Sequence, residues 1–72
     1  MRSDAKVVHR LERGDFLGVI SVHKYGAWAG WYAVSWTAGN EVGGSKASGL
    51  RSALAQLEAD YMRWLAKRQA AM

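Results

Sequence analysis

The segment Trp28-Ala29-Gly30-Trp31-Tyr32-Ala33-Val34-Ser35-Trp36 restricts the fold more than any other part of the chain. An extended strand sends successive side chains to opposite faces, so Trp28 and Trp36 are expected on one side and Trp31 on the other. A chain of 72 residues has room for one long helix to cover one of those faces. The other face is then expected to offer large aromatic side chains to solvent or to a partner, which points to binding rather than to chemistry.

The flanking residues predict how that strand is reached and left. Lys6-Val7-Val8-His9-Arg10-Leu11 is β-prone, and Arg13-Gly14-Asp15 supplies a turn. Phe16–His23 is rich in β-branched residues, and Lys24-Tyr25-Gly26-Ala27 reads as a second hairpin turn. Ala38-Gly39-Asn40-Glu41 marks the end of the aromatic strand, and Val42-Gly43-Gly44 leads to a helix start capped by Ser45 or Ser48. Beyond it Leu50, Leu54, Leu57, Tyr61 and Trp64/Leu65 recur at helical spacing, with Arg51, Gln56, Glu58, Asp60, Arg63 and Lys67 mostly off that stripe.

The expected fold is a single small α+β domain over residues 1–72: strands at about 6–11, 16–23 and 28–37 in an antiparallel meander, then one amphipathic helix at about 46–68 packed on one face. Such a helix is about 34 Å long against roughly 26 Å for an eight-residue strand. Its last turns should overhang the sheet, leaving Tyr61, Met62 and Trp64 partly covered. Which sheet face meets the helix depends on the second hairpin. A two- or four-residue loop groups Phe16, Ile20 and Val22 with Trp31 and Ala33, and a three-residue loop swaps the partners.

Composition removes several function classes. With no cysteine, a disulfide scaffold and a thiolate metal site are excluded. No apolar run reaches the roughly 18 residues of a membrane span, and no secretory signal is evident, so a cytoplasmic protein without membrane contact is expected. The net charge of +4 is concentrated at the ends. Arg2, Lys6, Arg10 and Arg13 outnumber Asp4 and Glu12 at one, and Lys46, Arg51, Arg63, Lys67 and Arg68 outnumber Glu58 and Asp60 at the other. Between them Lys24 stands against Asp15 and Glu41. The nearly uncharged aromatic strand suits a protein interface better than a phosphate-tracking groove.

Motifs of catalysis are weak. Gly39-Asn40-Glu41-Val42-Gly43-Gly44-Ser45-Lys46 has the glycines of a phosphate loop but not the Gly-Lys-Ser/Thr order or the parallel sheet that loop requires. His9 and His23 are the two histidines, and a first hairpin at Arg13-Gly14-Asp15 puts His9 opposite Val19 or Ile20 and His23 opposite Ala5 or Lys6, too far apart to share a proton or a metal. Ser21 and Ser35 lie on strands, without the elbow that exposes a nucleophile. Arg13-Gly14-Asp15 matches a cell-adhesion tripeptide and, without a secretion signal, reads as a turn. No catalytic residue, metal ligand or cofactor is therefore expected. The four tryptophans either fill the core or supply binding anchors.

Tyr25-Gly26-Ala27-Trp28-Ala29-Gly30-Trp31 on a strand and Val42-Gly43-Gly44-Ser45-Lys46-Ala47-Ser48 before an alanine-rich helix resemble, over residues 6–66, two DNA-binding families of three strands and a helix. These are the ethylene-responsive-factor domain and the arm-binding domain of phage integrases. That resemblance implies nucleic-acid binding through the sheet, with Trp28 and Trp31 in the place of the contacting tryptophans. In size and build the chain also resembles the small phage-encoded inhibitors of the anti-CRISPR type, which implies docking on a host or mobile-element complex.

The leading expectation is a non-enzymatic protein-binding module with Trp28, Trp31, Tyr32 and Trp36 as anchors and Arg63 and Lys67 as rim charges. The alternative is a nucleic-acid-binding domain using the sheet and the basic ends. A homodimer, through the aromatic face or by edge pairing, is a further way to cover that face.

Overall fold

The computed structural model describes residues 5–70; Arg2 and Asp4 of the basic N-terminal end lie outside them. Four strands, β1 (Ala5–Arg13), β2 (Phe16–His23), β3 (Tyr32–Ala38) and β4 (Glu41–Ala47), form one antiparallel sheet in chain order, followed by a single helix, α1 (Leu50–Ala70). The expected α+β architecture of a meander plus a C-terminal helix is present, with one strand more than the sequence suggested.

The extra strand comes from residues assigned above to a turn and to the start of the helix. A two-residue connection, Gly39-Asn40, returns the chain directly, so that Thr37 pairs with Val42, Ser35 with Gly44 and Ala33 with Lys46. Gly39 has φ +63° while Asn40 stays at negative φ, the pattern of a type II′ hairpin, whose twist matches that of the strands it joins. Gly14-Asp15 closes β1 and β2 in the same way. Since Ser45, Lys46 and Ala47 are held in β4, the helix begins at Leu50 rather than near residue 46. The Gly49 carbonyl accepts the Ala53 N–H at 3.0 Å, which puts Gly49 in the cap position expected of a serine.

The second correction concerns the aromatic segment. β3 starts at Tyr32, and Gly26–Trp28 forms a single 3₁₀ turn, so Trp28 and Trp31 belong to the connection between β2 and β3. The premise of one strand with indoles on both faces is therefore replaced. Within β3 only Trp36 remains, and it faces the helix.

Register assigns the faces. Val22 pairs with Tyr32, Ile20 with Val34, Gly18 with Trp36 and Phe16 with Ala38; the nine residues between the last pair, Val22 and Tyr32, are an odd number, which groups β2 and β3 in the swapped way. These residues lie under α1, where Phe16, Ile20, Val34, Ala38 and Ala47 join Ala53 and Leu57 in the buried core. Leu57 descends onto Gly18, where a β-carbon would stand 2.5 Å from its Cδ1. In the same row the Trp36 indole leans across Gly43, whose own β-carbon would stand 2.5 Å from Nε1. Two glycines thus give space to one leucine and one tryptophan. Phe16 completes the cluster, stacked on Trp36 at 5.2 Å and 21° and met edge-on by Tyr61 at 5.2 Å.

The buried stripe of α1 runs through Ala53 and Leu57 to the half-buried Tyr61 and Trp64. Leu50 and Leu54, expected on that stripe, are exposed. The connection Ser48-Gly49 is short and brings the first helical turn close to the end of β4, where two alanines, Ala47 and Ala53, are buried and the leucines turn outward. At its other end α1 reaches both hairpin turns. Arg68 lies 3.4 Å from Asp15 and Lys67 lies 3.9 Å from Glu41. Tyr61 and Trp64 are partly covered, as the helix length suggested, whereas Met62, expected to be partly covered with them, is exposed.

Candidate functional site

α1 packs across β2, β3 and β4 on one face only. On the other face, pairing places side chains in rows. One row is Glu12, Leu17, Thr37 and Val42; the next is Arg10, Val19, Ser35 and Gly44; the third is Val7, Ser21, Ala33 and Lys46. Nothing in the described chain covers these rows, and Val42 is 75% and Val7 50% exposed. Three full charges, Arg10, Glu12 and Lys46, are spread over the face, leaving it close to neutral. Sequence reading missed this surface because it depends on β4 and on the register of β1.

At one corner stands the β2–β3 connection. It is cross-braced by its own backbone: the His23 N–H donates to Trp31 O at 2.9 Å, Gly30 N–H to His23 O at 2.8 Å, and Trp31 N–H to Trp28 O at 2.9 Å. These bonds hold the Trp28 and Trp31 rings edge to face, 5.6 Å apart and 87° inclined. The Lys46 ammonium, from the uncovered face, sits 4.1 Å from the centre of the Trp28 ring. Trp28 is nevertheless 46% and Trp31 38% exposed. A braced loop presenting two indoles loses little conformational freedom when it binds.

The six residues expected to form one site fall on two surfaces. Trp28 and Trp31 make the corner just described. Tyr32 and Trp36 lie on the helix side, half-buried against the core. Arg63 and Lys67 project from α1 beside a groove of about 640 Å³ that runs between β4 and the helix, with Trp36 and Gly43 in its floor and Gln56 in its wall. Ser45 Oγ donates to Gln56 Oε1 at 2.6 Å, and Arg63 pairs with Asp60.

His9 pairs with Ile20 and His23 with Ala5, as the first hairpin predicted; Ile20 and His23 are three residues apart on β2, so the two imidazoles lie on opposite faces. Among the described residues no three His, Cys, Asp or Glu side chains gather in a metal-binding group. No helix among them is long and apolar enough to cross a membrane.

Compared with protein-family models, with curated proteins and with solved structures, the chain has no match. The functional reading therefore rests on geometry and chemistry.

Proposed function

We propose that this protein is a non-enzymatic protein-binding module that docks through the uncovered sheet face, with Trp28 and Trp31 as its anchors. The observation that supports this most is the pairing of a near-neutral, uncovered face with two rigidly held, exposed indoles at its margin. Tryptophan dominates binding hot spots because it buries a large area with few rotatable bonds. A face with Arg10 and Lys46 as its full cations offers few phosphate contacts, whereas nucleic-acid surfaces rely on many. By likeness of size and build to the small phage-encoded inhibitors, the module acts by stoichiometric occupation of a host complex.

Affinity capture from host lysate tests the reading, with and without nuclease and at both low and high salt. We expect the same protein partner to be retained under all conditions, and the Trp28→Ala/Trp31→Ala variant to lose it through a weakening of about 30-fold or more, the scale of a hot-spot residue. Recovery of nuclease-sensitive material alone would overturn the proposal in favour of nucleic-acid binding.

A further inference from the structure

The two edges of the sheet differ in how they meet a foreign strand. β1 carries Lys6, His9, Arg10, Glu12 and Arg13, and its register shifts between Val7 and His9. Charges and bulges of this kind discourage pairing with another chain. β4 pairs with β3 without interruption from Glu41 to Ala47, and its centre is Gly43-Gly44. Alternate backbone groups along an edge strand face away from its neighbour, and here no side chain at the centre screens them.

Beside this edge lies the groove between β4 and α1. Trp36 is seen through it because Gly43 lacks the side chain that would collide with the indole. The charges along the groove are unequally engaged. Asp60 is mostly covered and held by Arg63, whereas the Arg63 and Lys67 side chains are 71% and 79% exposed. Glu41 is 3.9 Å from Lys67, an ion pair without hydrogen-bond contact. Glu41, Lys46, Asp60, Arg63 and Lys67 line the groove, one net positive charge, and on the helix side the cations are the more exposed.

We propose that the β4 edge accepts an extended, acidic segment of a partner protein as a fifth strand, laid in the groove between β4 and α1. Main-chain hydrogen bonds to β4 would supply affinity, as in other cases of strand addition. Side chains on one side of the added strand would fall over Trp36, and carboxylates would meet Arg63 and Lys67. A second copy of this chain is a poorer occupant, because its own α1 would bring Arg63 and Lys67 to the seam again. The Trp28/Trp31 corner is a different surface, joined to this one through Lys46 alone, which lines the groove and reaches the Trp28 ring.

The test uses the full chain and short capped peptides in which glutamate alternates with valine and threonine, alongside the lysine counterpart and an acidic peptide N-methylated at alternate positions. Backbone NMR and amide hydrogen exchange report the site. We expect the acidic peptide to bind with Kd below about 1 mM, to shift and protect β4 amides, and to shift the Trp36 indole N–H. The lysine and N-methylated peptides should bind at least about tenfold more weakly. The Arg63→Gln/Lys67→Glu variant should lose about tenfold in affinity, and Trp28→Ala/Trp31→Ala should bind as the parent does. Absence of binding below that limit, equal affinity for the lysine peptide, or shifts confined to the uncovered face would overturn the proposal. So would protection of β4 that appears with protein concentration alone, which would identify a second copy as the occupant.

Discussion

Trp36 and Gly43 show how far one residue type can dictate another. The indole occupies the space that a side chain at 43 would need, with the ring nitrogen, Cε2 and Cζ2 in the way. A rigid ring cannot retreat as an aliphatic tip can. Gly43→Ala should therefore destabilise the fold by about 1–3 kcal/mol and reorient the indole, read as a lower denaturation midpoint and a changed near-ultraviolet circular dichroism. Gly18 makes the opposite case, because the atom in its way is the methyl end of Leu57. The identity of Trp36 as a core-facing ring was hidden in the sequence. Alternation placed it with Trp28 and opposite Trp31, and nothing in the residues themselves said that the strand begins only at Tyr32.

Among the elements, β1, β2 and most of α1 were legible, since β-branched runs, the turn at Gly14-Asp15 and the apolar helical spacing all agree. β4 was not. Glu-Val-Gly-Gly-Ser-Lys-Ala has low strand propensity, and glycine pairs in a strand normally weaken it. Its strand state comes from β3, whose Trp36 and Val34 supply the packing that β4 lacks. The start of the helix was misjudged for the same reason, and with it the inner stripe. Leu54→Gln, on the exposed side, should change stability by less than about 0.5 kcal/mol, while Leu57→Ala should cost about 2–5 kcal/mol. Chemical denaturation of the two variants side by side checks that assignment. The β2–β3 connection owes part of its placement to the cation over Trp28, so Lys46→Gln should cost about 0.5–1 kcal/mol and increase hydrogen exchange at Gly30 and Trp31.

At the scale of the whole molecule, two layers of unequal width explain both the stability and the proposed binding. One helix shields three strands, and among the described residues the core it makes is a single cluster of seven buried side chains with aromatic rings at its margin. A domain of this size is marginally stable, so a partner seated on the bare side of the sheet would stabilise it by mass action. From length and tryptophan content some exposed aromatic surface was legible, although the uncovered rows expected to carry it hold no aromatic side chain. Its location was not, because that depended on a loop folded by backbone hydrogen bonds rather than on side-chain pattern.

The division of the four indoles has a practical consequence. Trp28 and Trp31 stand in water, while Trp36 and Trp64 rest against Phe16. Intrinsic emission should then be a sum of a red, acrylamide-sensitive component and a bluer, sheltered one. Whatever settles on the corner will remove the first and spare the second, so occupancy can be followed by light from the unlabelled chain.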